Sequence, residues 1–209
     1  MIVQNFKSAI RDFCSGTDLL KYWDEKQNRF GTKTADDVDW DSLGKAMESM
    51  SQSYRQEATK HASGFFGTGK NMVRWKKRTI ANCPQCNAPD EDKTHIIKCP
   101  HQEATELFDK KMDDLQEWME DQGTEMGIQT LIIDRLKCWR NDEPCDNDDL
   151  DPDDPLTPVV LEQDEIGWEA AFTGLWAKGW AEAQLQYFQK WDSRQTGKRW
   201  LAALIKKLF

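Results

Sequence analysis

Apolar positions recur three and four residues apart through most of the chain, the period of helices that bury one face. Val3, Phe6, Ile10 and Phe13 make the first such stripe, ended by Gly16, and Thr17 is placed to cap a second helix through Leu19, Leu20, Tyr22 and Trp23. A polar break covers residues 32–39. Asp39 or Asp41 then caps a helix carrying Trp40, Leu43, Met47 and Met50, and helix resumes from about Ser51 toward Ala62. Leu107, Phe108, Met112, Leu115, Trp118 and Met119 predict a helix up to Gly123. Thr124 is the expected cap of the next one, which carries Ile128, Leu131, Ile132, Leu136 and Trp139 and forms a hairpin with its predecessor.

After residue 164 the stripe becomes aromatic. Trp168, Phe172, Trp176 and Trp180 fall four residues apart and predict one helix continuing through Tyr187 and Trp191. Gly167, Gly174 and Gly179 weaken its propensity, so packing must hold it, and the aromatic face reads as core. The last segment, Lys198 to Phe209, turns Trp200, Leu201, Leu204, Ile205 and Leu208 inward and Lys206 and Lys207 outward.

Composition agrees with amphipathic helices. Only 38% of the 209 residues are hydrophobic while 31% are charged, and ten tryptophans supply aromatic seams, a balance unlike that of one large β core. No apolar run is long enough to cross a bilayer and no signal peptide opens the chain, so an intracellular protein, cytoplasmic or nuclear, is expected. The net charge of -9 hides two opposed blocks. Residues 141–165 hold eleven Asp and Glu with no Lys or Arg. With Pro144, Pro152, Pro155 and Pro158 they predict an extended acidic linker over 141–164. The run lacks the turn glycine and closing glutamate of a calcium loop. Residues 60–82 instead contain Lys60, Lys70, Arg74, Lys76, Lys77 and Arg78 and no acid.

The chemistry is concentrated beside that basic block. Cys83-Pro84-Gln85-Cys86 is followed by His95 and Cys99, giving C-x2-C-x8-H-x3-C. Two thiolates on one tight turn and an imidazole and thiolate one helical turn apart supply four donors for a tetrahedral zinc ion. Four protein ligands leave no position for water, so one structural Zn²⁺ is expected. His101 is an alternate fourth ligand, with Cys99 preferred for thiolate affinity and shorter reach. Cys14, Cys138 and Cys145 read as reduced thiols.

Two other motifs do not complete their chemistry. Gly64-Phe-Phe-Gly-Thr-Gly69-Lys70 approaches a phosphate-binding loop, but Asn71 stands where a magnesium-binding hydroxyl is needed and a helix precedes it. Its glycines read as a flexible turn presenting Lys70. Thr34-Ala-Asp-Asp37 lacks the aromatic residue and apolar strands of a polymerase metal site. A non-enzymatic protein with no small-molecule substrate is therefore expected.

The expected fold is mainly α: helical hairpins around a small zinc-knuckle loop, with the acidic linker before a Trp-rich C-terminal helical segment. Its parts are an N-terminal helical segment (1–62), a basic loop with the knuckle (63–101), a helical hairpin (102–140), the linker (141–164) and the Trp-rich helices (165–209). Lys70, Arg74, Trp75, Lys76, Lys77 and Arg78 are candidates to hold RNA or DNA, cations on phosphates and the ring on a base. A merely solvated charged face is the alternative for this run, and a zinc-stabilised protein-interaction module the alternative for the chain.

Four runs carry a resemblance: Val38-Asp-Trp-Asp-Ser-Leu-Gly44, Gly67-Thr-Gly-Lys-Asn-Met-Val-Arg-Trp-Lys76, the knuckle with Pro100 and His101, and Ile166-Gly-Trp168 with Thr196-Gly-Lys-Arg-Trp200. Together they resemble the zinc-binding tail of retroelement polyproteins, which follows the reverse transcriptase and ribonuclease H parts. The resemblance implies Cys83, Cys86, His95 and Cys99 as zinc ligands and a module that helps a polymerase hold its nucleic acid, with a reverse transcriptase core as partner. Neither that core nor a ribonuclease H carboxylate set is identifiable in the chain. A fragment or repurposed copy is the expectation that follows.

Overall fold

The computed structural model describes residues 30–145, 147 and 150–209, with Lys21 and Glu25. The side chains of the two stripes expected between Val3 and Trp23 lie outside the described residues. Among the described residues the fold is helical and without strands. Its elements are α1 (Trp40–Glu48), α2 (Gln52–Ser63), α3 (Gly69–Arg74), α4 (Lys93–Lys98), α5 (Gln102–Asp121), α6 (Met126–Asn141), α7 (Thr157–Ile166), α8 (Trp168–Ala171), α9 (Gly179–Lys190) and α10 (Gly197–Leu208). None is long and apolar enough to cross a membrane.

Short polar side chains start most of these helices by satisfying first-turn amides. Of the two candidates before α1, Asp39 is the cap: it accepts the Ser42 amide at 2.9 Å. Ser51, Thr68, Asp92 and Thr196 do the same for α2, α3, α4 and α10. At α6 the cap is Glu125, which accepts the Ile128 amide at 2.8 Å, rather than the expected Thr124. The Thr124 hydroxyl instead accepts the buried indole N–H of Trp200 at 2.8 Å, tying α10 to the turn between α5 and α6.

The core lies where α10 packs between α1 and α9, continues through α6 and α5, and is filled at its centre by Trp168, Trp176 and Trp180. These three rings meet in a triangle, with centroids 6.1 to 6.2 Å apart in edge contacts, the geometry that ring quadrupoles favour. Trp176 and Trp180 are fully buried, as the aromatic stripe predicts. At Gly197, α10 meets α9 so closely that an added Cβ would stand 1.7 Å from the Ala181 carbonyl oxygen.

Two expectations change. The Trp stripe is not one helix, because α8 stops at Ala171 and Gly174 takes the left-handed region at φ 85°. Residues 172–178 then run irregularly to a single antiparallel bridge between Val38 and Ala177. Buried Gln163 holds this irregular path: its Oε1 accepts the Ala177 amide at 2.8 Å and its Nε2 donates to the Leu175 carbonyl at 3.3 Å. Backbone that leaves a helix inside a core needs such partners.

The linker expected over 141–164 gives way to core before its end. Leu156 is buried and α7 begins at Thr157, with Pro158 in its first turn, where a missing N–H costs no helical bond. Val159, Val160 and Ile166 are buried from this helix. The acids before it form local turns, Asp151 Oδ1 accepting the Asp153 amide at 2.9 Å and Asp154 Oδ1 the Leu156 amide at 2.8 Å. Proline and acid counts cannot separate a linker from a helix start.

Candidate metal centre

The loop before α4 folds back on itself through main-chain bonds. The Glu91 amide donates to the Ala81 carbonyl at 2.9 Å and the Cys83 amide to the Ala88 carbonyl at 2.8 Å. Asn87, at φ 60°, closes the turn with its amide 3.0 Å from the Cys83 carbonyl. Asp92 then caps α4 by accepting the His95 amide at 3.0 Å, so His95 leaves the first turn of a helix that ends at Cys99.

This path brings Sγ of Cys83, Cys86 and Cys99 and a ring nitrogen of His95 within 4.8 Å of one another. Cys83 and Cys99 sulfurs are 3.8 Å apart, and Cys86 Sγ is 3.3 Å from His95 Nε2. A tetrahedron of Zn–S bonds of about 2.3 Å has sulfur–sulfur edges of about 3.8 Å. A disulfide needs about 2.0 Å. The spacing therefore suits donors around one ion rather than a thiol pair, and the four residues could hold one metal ion in a closed shell.

Local electrostatics treat the Cys86 and Cys99 thiols differently. The Ala88 amide beside Cys86, helped by the neighbouring thiols, holds the Cys86 thiol below its ordinary pKa. Burial pushes the Cys99 thiol up to about 11, against the His101 amide, which hydrogen-bonds it. A buried thiolate needs a counter-charge, and a divalent cation supplies one.

His101 lies outside the four-atom cluster and stands at the N-cap of α5, with its Nδ1 buried and unbonded. Its backbone serves the site while its ring does not. The structure thus brings together Cys83, Cys86, His95 and Cys99 and leaves the alternate ligand out.

The cluster is fastened to the helices by residues that its motif does not contain. Buried Arg140 on α6 donates through Nη2 to the Cys99 carbonyl at 3.2 Å and to Thr105 Oγ1 at 3.0 Å, its guanidinium 4.7 Å from the Phe108 ring centre. Lys98 lies over the Trp139 ring at 4.6 Å and pairs with Asp142. Glu169 on α8 accepts from Thr94 at 3.1 Å and pairs with Lys93 at 2.7 Å. No linear signal marks Arg140 or Glu169, since each acts across 32 or more residues of sequence.

The basic run divides in space. Lys70 meets Asp92 at 3.4 Å, and Arg78 faces Glu91 at 3.9 Å while donating to the Asn82 carbonyl at 3.1 Å. Acids from the metal loop thus compensate both ends. Between them Arg74, Trp75, Lys76 and Lys77 are exposed where α3 ends, Lys76 in the left-handed region at φ 58°. Arg74 lies 5.8 Å from the centre of the exposed Phe65 ring, and Trp75 is 39% exposed.

The glycine-rich segment before this face is anchored at Gly69 and open at Gly64 and Gly67, where an added Cβ would meet nothing within 4 Å. Gly69 N–H donates to Glu91 Oε2 at 2.7 Å, so a carboxylate holds the amide that a phosphate would use. Asn71 Nδ2 donates to the Gly64 and Phe66 carbonyls, each at 2.7 Å. The turn that presents Lys70 is thus hydrogen-bonded to the loop at its Gly69 end. No family model, curated protein or solved structure matches the chain.

Proposed function

We propose that this chain is a non-enzymatic, zinc-stabilised nucleic-acid-binding module. The observation that carries the reading is the exposed face of Arg74, Trp75, Lys76 and Lys77, joined through hydrogen-bonded loop to a closed set of four metal donors. Cations at a helix end can meet phosphates, and an accessible indole among them can stack on a base, a pairing suited to RNA or DNA with unpaired bases. Zinc would be held by Cys83, Cys86, His95 and Cys99, and its contribution is to fold the loop. Descent from a retroelement polyprotein, with a reverse transcriptase core as partner, rests on the runs quoted above and belongs to the same proposal. An intracellular setting, cytoplasmic or nuclear, suits reduced thiolate ligands.

One observation favours a second reading, a protein-interaction module. Met126 and Trp191 are 77% and 71% exposed, and Trp191 stacks edge-on with Tyr187 at 6.3 Å, residue types that anchor protein interfaces.

Salt-titrated binding to single-stranded RNA, single-stranded DNA and duplex separates the two. Replacing Lys76 and Lys77 together by Gln removes two phosphate contacts and flattens the log–log salt slope by roughly 1.4 to 1.8, with metal content unchanged. Arg78 is left intact because it serves Glu91. A double variant that binds like the parent at every salt concentration overturns the nucleic-acid reading and favours the protein-interaction one.

A further inference from the structure

Glu91 sits between the two ligand pairs, five residues after Cys86 and four before His95, and no ligand pattern includes it. It is only 8% exposed. A carboxylate buried there is costly unless charge and hydrogen bonds compensate it, so its partners show its task. Oε2 accepts the Gly69 amide at 2.7 Å, the first amide of α3, and faces Arg78 Nη1 at 3.9 Å beyond the helix end. Its carbonyl accepts the Lys70 amide at 3.0 Å and its amide donates to Ala81 at 2.9 Å. One residue of the metal loop therefore grips both ends of the segment that displays Arg74, Trp75, Lys76 and Lys77.

The junction has no slack. A Cβ at Gly69 would stand 2.1 Å from the Ala81 carbonyl oxygen and 3.1 Å from Glu91 Cβ, so α3 lies directly on the loop backbone. The ties through Arg140, Trp139 and Glu169 hold residues 93–99, while the loop before them and α3 have little apolar burial of their own. Between residues 80 and 99 the only buried apolar side chains are Cys83 and Cys99, both ligand candidates. The six residues of α3 are far fewer than an isolated helix needs to persist in water. With its ligands uncrosslinked the loop has little apolar burial to fix it, and α3 then loses its support.

We propose that Glu91 is a positioning residue that carries the order imposed by the metal to the Arg74–Lys77 face, so that the binding surface forms only when the metal is bound. The proposal rests on the reading of the four-residue cluster as a zinc centre. It also gives a sign that simple charge does not. Glu91→Gln removes a negative charge beside a cationic face, which by Coulomb attraction alone would tighten nucleic-acid binding. If Glu91 positions the face, the same change weakens it.

The experiment uses the full chain, with zinc measured by elemental analysis, amide hydrogen exchange followed over residues 68–78, and anisotropy of a labelled single-stranded oligonucleotide. Chelation of the parent protein should raise exchange across 68–78. Glu91→Gln should keep one zinc per chain, yet speed exchange at the Gly69 and Lys70 amides about ten- to a hundredfold, the loss expected for a charge-assisted hydrogen bond. It should also weaken oligonucleotide binding. Gly69→Ala, which leaves the carboxylate in place but forces the two backbones apart, should act in the same direction.

Unchanged exchange over 68–78 after verified zinc removal overturns the proposal, as does a zinc-loaded Glu91→Gln protein that binds as tightly as the parent or tighter. A protein with no zinc to remove overturns the metal reading beneath it. Release of 68–78 by chelation and by both variants, with no binding by the parent, supports the coupling and counts against the nucleic-acid function.

Discussion

Cys83, Cys86, His95 and Cys99 were legible from spacing because all four donors come from one short loop, and local spacing fixes the reach of a chain that must surround one ion. The choice between Cys99 and His101 was not. It depends on the direction in which the chain leaves α4, where Cys99 turns into the cluster and His101 becomes the N-cap of α5. Replacing Cys83 by Ser should therefore cost the protein its stoichiometric metal, whereas His101→Ala should retain it, as metal analysis of the two purified variants would register. Loss of metal from His101→Ala would place its ring in the shell. The basic run shows the opposite limit of sequence reading. It is acid-free along the chain, yet Lys70 and Arg78 have Asp92 and Glu91 as neighbours in space, from beyond the first cysteine pair.

At the scale of elements, helices were legible wherever an apolar stripe was long, as for α5, α6 and α10, while their interruptions were not. The break between α8 and α9 turns at Gly174 and is held by Gln163 and by the bridge to Val38, contacts that a helical stripe does not report. Glycines divide in the same way. Gly44 lies inside α1 with nothing within 4 Å of an added Cβ, whereas Gly197 lies against the Ala181 carbonyl at 1.7 Å. Gly44→Ala should stabilise the protein by about 0.5 to 1 kcal/mol through helix propensity. Gly197→Ala should destabilise it by roughly 3 kcal/mol, since backbone must move to admit the methyl group. Urea unfolding of both variants gives the two signs; a neutral Gly197→Ala would mean that α9 and α10 do not meet at this distance.

In the whole molecule, a Trp-centred helical core carries the metal loop on one of its surfaces. Trp176 is fully buried in the triangle and donates its indole N–H to the Ala171 carbonyl at 3.2 Å. Trp176→Ala should cost about 3 to 5 kcal/mol, read from the shift in the denaturant midpoint. The loop differs in kind, having four metal donors and little buried apolar area, so a bound structural metal would supply it on the order of 10 kcal/mol. The net charge of -9 describes neither part, because residues 142–154 carry eight acids with no Lys or Arg, whereas Arg74, Lys76 and Lys77 sit together at the end of α3. The proposed nucleic-acid face depends on the loop holding an ion. Elemental analysis of protein purified without chelator tests that dependence most directly: the account predicts one zinc per chain, and a protein that folds fully with a zinc content near zero would contradict it.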